Sequence, residues 1–160
     1  MTRLNCIIKE EIEKFVGIND NFWKWFGNSK VVNSDGSPMI VYHGTNAEFD
    51  SFKPNKDYVA TGMFFTPVEN YAANYPRKTT KEGSKVMSLY LKIENPISEY
   101  EFFSIGDNDG EKRTSECIRL GYDGLITDDR NILLVFSPNQ IKSTTGNDGT
   151  WDVNDENIYS

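Results

Sequence analysis

The chain has 160 residues, of which 38% are hydrophobic and 13% aromatic, and this composition predicts one folded domain over residues 1–160. Lys and Arg total 17 against 24 Asp and Glu, a net charge of −7, which disfavours binding to nucleic acid through its phosphates. The single histidine and the two cysteines, Cys6 and Cys117, lack the spacing of a zinc site, so no metal is expected. The N-terminal segment carries no long apolar run, which predicts a reducing, cytoplasmic setting and no membrane partner.

Hydrophobic periodicity predicts a helical extension over residues 1–28, made of two short helices that end at Gly27. After it we expect a strand over 30–32, a turn at Asp35-Gly36 and a second strand over 39–43. Residues 45–60 mix polar side chains, a proline and spaced aromatics without a period, which predicts an ordered surface loop.

A short strand and a capped helix follow this loop. The strand is predicted over 62–65, and the sequence Thr66-Pro67-Val68-Glu69 has the hydroxyl, proline and glutamate typical of a helix start. The helix is expected to end before Pro76. One of its faces carries Val68, Tyr71, Ala72 and Tyr75.

The C-terminal half predicts three more strands, one helix and a tail. The strands are expected over 86–93, 123–127 and 132–136, and the helix over 111–120. Residues 98–110 are acidic and irregular, which predicts a loop. Residues 144–160 are rich in Asn, Asp and Gly and are expected to pack as an irregular tail.

A candidate binding motif begins at His43, which ends a predicted strand and is followed by Gly44 and Thr45. A residue without a side chain lets a ligand reach backbone N–H and C=O groups directly, so this motif predicts a clamp for an amide group. A second candidate is Tyr75, because the small residues at positions 72 and 73 leave room for a flat ligand against its ring. An aromatic stripe of this period is also typical of ordinary core packing.

Three segments in order carry a resemblance to a known family: VYHGT over 41–45, GMFFTPVENYAANY over 62–75 and ILLVFSPNQI over 132–141. With them the chain resembles the ADP-ribosyltransferase superfamily, in the histidine-tyrosine branch that includes diphtheria toxin and the poly(ADP-ribose) polymerases. It is more similar still to transferase domains of phage and mobile-element polyvalent proteins, through KWFGNSKVVNSDGSPMIVYHGTNAEF, KIENP, GYDGLI, VFSPNQIKS and GNDGTWDVNDENI. The resemblance implies an α+β fold with split antiparallel β-sheets around an NAD cleft and short N-terminal helices.

The resemblance also implies a role for each site residue. His43 would hold ribose hydroxyls of NAD, and the backbone of Gly44 would bind the nicotinamide amide. Tyr75 would stack on the nicotinamide ring, and Phe64 stands where the family often has another tyrosine. The other members of the expected NAD-binding set are Thr45, Tyr58 and Ala72.

The third catalytic position, after His43 and Tyr75, is occupied by Ile132, where the family has a glutamate. Family members with a hydrophobic residue at this position resemble mono-transferases or inactive domains, because chain elongation needs the glutamate. Polar residues just upstream offer substitutes if the loop shifts its register, although turn residues of this type are usually solvated. These residues are Asp128, Asp129 and Asn131.

Three further features are interpreted without a catalytic role. Glu99-Tyr100-Glu101 spells the ExE pair of arginine-specific transferases, but no serine-rich strand precedes it, so it is interpreted as a solvated acidic loop. RNA 2′-phosphotransferases need a second histidine, which this chain lacks. Gln140 is interpreted as a brace for the segment after the last predicted strand.

The resemblance therefore implies a mono-ADP-ribosyltransferase that uses NAD as co-substrate, releases nicotinamide and modifies a macromolecule, with protein as the expected acceptor. Its reaction would pass through an oxocarbenium-like transition state at the ribose. Two alternatives stay open. One is a catalytically inactive module that binds NAD, ADP-ribose or a protein, and the other is an NAD glycohydrolase with water as acceptor.

Overall fold

The computed structural model describes residues 3, 18–74, 85–106 and 108–160. Its helices are α1 (Asp20–Phe26), α2 (Glu69–Asn74), α3 (Glu99–Ser104) and α4 (Gly110–Arg119), with a 3-10 turn over Pro138–Gln140. Its strands are β1 (Val41–Thr45), β2 (Asn55–Lys56), β3 (Thr61–Phe65), β4 (Lys85–Leu91), β5 (Pro96–Ile97), β6 (Gly124–Ile126), β7 (Leu133–Val135) and β8 (Ile141–Ser143). Across these ranges, every helix is too short or too polar to cross a membrane.

The strands form two sheets. One has three antiparallel strands in the order β1-β4-β8, and the other has five in the order β2-β3-β7-β6-β5. The pairs of the larger sheet are antiparallel except β5 with β6, which run parallel. The expected α+β fold with two sheets is confirmed, and the parallel pair makes one of these sheets mixed.

The two sheets meet where β1 passes the end of β3. Tyr42 donates its backbone N–H to the Thr66 carbonyl at 2.7 Å, and the Thr66 N–H returns a bond of 3.1 Å. Apolar residues from both sheets and from the tail form the main core around this junction. A backbone bridge and a shared core thus join β1, an edge strand of the smaller sheet, to the end of β3 in the larger one.

Several sequence predictions are confirmed and others are wrong. The turn at Asp35-Gly36 forms, with Gly36 at φ +85°, but the expected strand before it is only a single bridge from Val32 to Pro38. The irregular loop expected over 98–110 is wrong in part, because the Ser98 hydroxyl accepts the Glu101 N–H at 3.2 Å and begins α3, which ends at Ser104. The prediction treated the acidic residues as a sign of a loop and did not use Ser98 as a helix N-cap.

The predicted aromatic face of α2 is also wrong in part. Ala72 is 3% exposed whereas Tyr71 is 73% exposed, so the two residues do not share a buried face. The helix begins at Glu69, after the Thr66 hydroxyl accepts the Val68 N–H at 3.1 Å. Its predicted end, like the first of the two N-terminal helices, lies outside the described residues.

The C-terminal tail packs without regular structure, as expected. Trp151 is 4% exposed and joins Phe22 and Trp25 of α1 in an aromatic cluster. Ile158 is fully buried in the main core. The strand β8, which the sequence did not predict, lies between this tail and β4.

Candidate functional site

His43 lies in β1 beside the junction of the two sheets. Its Nδ1 atom is 2.9 Å from the carbonyl oxygen of Phe64 in β3. Its ring meets Phe52 edge-on, with 5.1 Å between ring centroids, and lies 5.4 Å from the ring of Phe65. These polar and aromatic contacts hold the imidazole in a half-buried position.

These contacts define the chemical state of His43. A carbonyl oxygen only accepts hydrogen bonds, so Nδ1 carries the proton and Nε2 is the acceptor atom of the neutral ring. Burial lowers the pKa of His43 below its ordinary value of 6.5, and the Phe64 carbonyl opposes this by favouring the charged ring. The imidazole is therefore neutral near pH 7 and suited to accept a hydrogen bond from a hydroxyl group.

The neighbours of His43 have structural contacts of their own. Gly44 is buried and pairs with Val86, so its backbone belongs to the three-stranded sheet. The Thr45 hydroxyl accepts the Ala47 N–H at 3.0 Å and shapes the end of β1. Ala72 is buried on α2, the helix that packs against β1 and β4. Gly44 and Thr45 thus follow His43 within β1, and Ala72 lies on the helix that packs against this strand.

Phe64 contacts His43 through its backbone and not through its ring. Successive side chains of a strand point to opposite faces, and Met63 and Phe65 belong to the main core. The Phe64 ring packs instead against a second core cluster that includes Leu134. In this structure the Phe64 carbonyl sets the histidine tautomer, and the expected place of Phe64 in the NAD-binding set stays a prediction.

Tyr58 lies on the surface loop before β3 and is 72% exposed. The backbone of this loop is held by Arg113, which donates from Nη1 to the Val59 carbonyl at 2.7 Å and from Nε to the Ile105 carbonyl at 2.8 Å. An open depression of about 450 Å³ adjoins the loop. It is lined by Lys56, Asp57, Tyr58, Thr61, Asn108, Asp109, Gly110 and Glu111.

Arg113 supports the loop that carries Tyr58, a role that the sequence analysis did not predict. Its side chain is 5% exposed and its guanidinium lies 5.3 Å from the centroid of the Phe102 ring. The signal was the buried face of α4, formed by Gly110, Arg113, Thr114 and Cys117 at helical spacing. An arginine within such a face indicates a buried cation with fixed partners, here the carbonyls of the Tyr58 loop and of Ile105.

Ile132 lies directly before β7 and is 48% exposed. Phe65 pairs with Leu133, so Ile132 lies one register step beyond this pair, next to Thr66. Thr66 is bridged to Tyr42, the residue before His43. Ile132 and His43 therefore approach the same junction from different sheets, and the side chain on the Ile132 side is apolar.

The polar residues before Ile132 form a closed turn. Asp129 accepts hydrogen bonds from the Thr127 hydroxyl at 2.8 Å and from the Asn131 N–H at 2.9 Å, and these bonds lower the pKa of the Asp129 carboxyl. The Asp128 N–H is bound by the Glu99 carboxylate at 2.9 Å. These contacts support the interpretation of the segment as a turn, with Asp129 already used to stabilise it.

The ExE sequence is part of a helix and not a solvated loop. Glu99 and Glu101 stand in the first turn of α3, where the helix dipole favours carboxylates. Glu99 binds the Asp128 N–H, and Glu101 accepts the Tyr122 hydroxyl at 3.0 Å, which raises the pKa of that phenol. Both carboxylates thus stabilise local structure.

Gln140 braces the segment after β7, as the sequence predicted. Its side-chain oxygen accepts the backbone N–H groups of Phe136 at 3.2 Å and Ser137 at 2.9 Å. Its amide nitrogen donates to the carbonyls of Lys92 and Asp123, both at 2.8 Å. One side chain therefore joins the ends of three strands.

The remaining predicted site residue, Tyr75, lies outside the described residues. Within residues 18–74, 85–106 and 108–160, no group of three or more His, Cys, Asp or Glu is arranged to hold a metal ion. The site is therefore built, as far as the structure describes it, from one neutral imidazole, backbone groups and aromatic rings.

The comparisons with known proteins agree with the two-sheet architecture. No curated protein and no solved structure matches the chain. A family model described as "ADP-Ribosyltransferase in polyvalent proteins" matches residues 33–151, a range that contains both sheets, His43 and Ile132. With most of its length matched in this way, the chain belongs to the family of ADP-ribosyltransferases found in polyvalent proteins.

Proposed function

We propose that the chain is a mono-ADP-ribosyltransferase of the histidine-tyrosine type, which cleaves NAD and transfers one ADP-ribose to a protein. The observation that carries this proposal is the neutral His43, fixed by the Phe64 carbonyl beside the junction of the two sheets. Such a ring suits the hydroxyl groups of a ribose, which donate hydrogen bonds to Nε2. The match to the transferase family supplies the class of reaction.

In the proposed reaction the bond between C1 of the ribose and the nicotinamide nitrogen breaks. Its electron pair leaves with nicotinamide, which becomes neutral, and positive charge develops on the ribose. A nucleophile of the acceptor then bonds to C1 and loses its proton to solvent. His43 holds the ribose hydroxyls, the Gly44 backbone binds the amide and Tyr75 stacks on the leaving ring.

The residue at position 132 defines the expected product. A carboxylate there would stabilise the positive charge and polarise a second ribose hydroxyl for chain growth. Ile132 offers neither effect, and the carboxylate of Asp129 is engaged within its turn. We therefore expect a single ADP-ribose on each modified site.

Charge and family context suggest the partner. At a net charge of −7 the chain favours basic protein surfaces over nucleic acid. The polyvalent-protein family fits a role inside a bacterium that carries a phage or mobile element, so the cytoplasm is the proposed place of action.

The test is incubation of the purified chain with isotopically labelled NAD and a bacterial lysate. Wild type is compared with His43→Ala and Tyr75→Ala. Glu116→Gln serves as a control because Glu116 forms an exposed ion pair with Arg119 on α4 and belongs to no candidate site. We expect a labelled protein band and free nicotinamide from the wild type and the control, with each signal lowered about 100-fold in the other two variants.

The same assay distinguishes the alternatives. Nicotinamide release without a labelled macromolecule would indicate an NAD glycohydrolase. Binding of NAD with neither product would indicate a non-catalytic module, the reading that the apolar side chain of Ile132 favours. A label that persists in His43→Ala would contradict the proposed role of the histidine.

A further inference from the structure

Lys142 in β8 has an unusual environment for a charged residue. Its side chain is fully buried, and its ammonium donates to the backbone carbonyls of Asp155 at 3.0 Å and Asn157 at 2.9 Å. Burial lowers the pKa of this amine, while the carboxylates of Asp155, Asp152 and Asp148 oppose the shift. A buried charge is costly unless it is well bound, and here the carbonyls of the tail bind the ammonium.

The segment held by Lys142 continues directly into the core. Ile158 donates its N–H to the Asp50 carbonyl at 2.7 Å and accepts the Ser143 N–H at 2.8 Å. Its side chain is fully buried in the same cluster as Phe52. The tail therefore lies between β8 and the loop that follows β1, and its backbone bonds to both.

That loop covers the imidazole. Phe52 is 5% exposed and meets the His43 ring edge-on, with 5.1 Å between centroids. Phe49 and Phe65 support it, at 4.7 Å and 5.4 Å from its centroid. The backbone hydrogen bond between Ile158 and Asp50 anchors this loop two residues before Phe52.

We propose that the C-terminal tail, anchored by Lys142, is a positioning element for His43. The ammonium holds residues 155–157, Ile158 then fixes the loop at Asp50, and the loop presses Phe52 against the imidazole. Lys142 touches neither His43 nor, in the proposed reaction, the substrate, so it is a positioning residue. Its effect on NAD cleavage rests on the proposed function, whereas its effect on the His43 environment does not.

The single histidine of the chain makes this proposal directly measurable. An NMR titration of imidazole signals reports His43 alone. Burial lowers the pKa of His43, and the hydrogen bond to the Phe64 carbonyl opposes that shift. A shift in the titration of His43 therefore reports a change in its packing.

The experiment compares wild type with Lys142→Met, which keeps the apolar stem but removes the donors, and with Ile158→Val, which trims the buried side chain. Leu125→Ala, in the second core cluster, is the control for general destabilisation. Thr150→Ala is the control within the tail, because its hydroxyl bonds only to Asp148 in an exposed turn.

We expect Lys142→Met and Ile158→Val to raise the pKa of His43 toward 6.5, because water gains access beside Phe52. We also expect kcat for NAD cleavage to fall about threefold to tenfold, with both controls near wild type at a temperature where they are folded. If Lys142→Met does not fold, Ile158→Val decides the result.

An unchanged His43 titration in the folded variants, with a melting temperature lowered as in Leu125→Ala, would overturn the proposal and leave Lys142 a stabilising residue only. If the wild type cleaves no NAD, the proposed function fails, yet the titration still supports or contradicts the positioning role.

Discussion

The two sides of the candidate site are built in opposite ways. On one side His43 is half-buried, hydrogen-bonded to the Phe64 carbonyl and held between aromatic rings. On the other side the turn before β7 is exposed, its polar groups bind one another, and it ends in the 48% exposed Ile132. The difference is that contacts fix the polar group on the His43 side, whereas on the turn side the Asp129 carboxylate is engaged and the residue next to β7 is apolar.

This contrast suggests how the proposed activity is limited. Precise placement of the substrate contributes to catalysis even where a charged group is missing, because it reduces the entropy lost on reaching the transition state. Electrostatic stabilisation is often the larger contribution, and here the side chain at position 132 offers none. We therefore expect a slow enzyme whose rate is limited at the Ile132 side of the site.

The largest expected effect comes from restoring charge on that side. Ile132→Glu should raise the rate of NAD cleavage about tenfold to 100-fold, because a carboxylate would lie beside the junction that carries His43. The measurement is nicotinamide release under single-turnover conditions. The half-exposed position should accept the substitution with little loss of stability.

Two variants control for this gain. Ile132→Gln has a similar shape without charge, and Asn131→Glu places the charge on the exposed neighbour within the turn. A gain in Ile132→Glu alone would support the assignment. An equal gain in all three, or none in any, would contradict the placement of position 132 in the site.

The next effect in size concerns pH and tests the His43 side. Burial holds the pKa of His43 below 6.5, so NAD cleavage should be constant around pH 7 and fall about tenfold per pH unit below that pKa, as Nε2 becomes protonated. For the same reason the neutral ring contributes stability that is complete above pH 6.5 and is lost as the pH falls through the folded-state pKa.

The measurement pairs the pH profile of kcat/KM with the NMR titration of the only imidazole. Agreement of the two midpoints, both below 6.5, is the expected result. A midpoint at or above 6.5 in the titration, or an acid limb that does not follow it, would show that burial does not control this side of the site.

The sequence predicted the parts of the fold that depend on local patterns. The strand at 62–65, the helix at 111–120 and the turn at Asp35-Gly36 each have strong periodicity or turn chemistry, and each is present with small changes in bounds. The acidic segment 98–110 was mispredicted in part because its Ser98 cap is a short signal in a segment with four acidic residues and no clear period. The strand β8 has only three residues, too few for a period to show.

The site was less predictable because its contacts join distant parts of the chain. His43 and Ile132 were predicted as site residues from sequence motifs, but the carbonyl of Phe64 as partner of the imidazole follows only from the bridge between the sheets. Arg113 and Lys142 bind backbone carbonyls far along the sequence, at Val59 and Asn157. Every residue carries the same backbone carbonyl, so no pattern of residue types predicts which carbonyl a side chain will bind.

The smallest expected effect on activity belongs to Gln140, which lies beyond the opposite end of β7 from Ile132. Gln140→Leu removes the four side-chain hydrogen bonds of this residue and leaves backbone groups such as the Phe136 N–H and the Lys92 carbonyl without this partner. We expect the free energy of unfolding to fall by about 2–3 kcal/mol, measured by urea denaturation. Gln140→Glu isolates the donor half: it keeps an acceptor for the Phe136 and Ser137 N–H groups but turns a carboxylate oxygen toward the Lys92 and Asp123 carbonyl oxygens, so it should also lose stability. The NAD cleavage rate of the folded fraction should match wild type in both variants, since their lost contacts stabilise strand ends away from His43. A loss of kcat greater than the loss of folded protein would instead place Gln140 within the reacting site and remove the distinction between the two ends of β7.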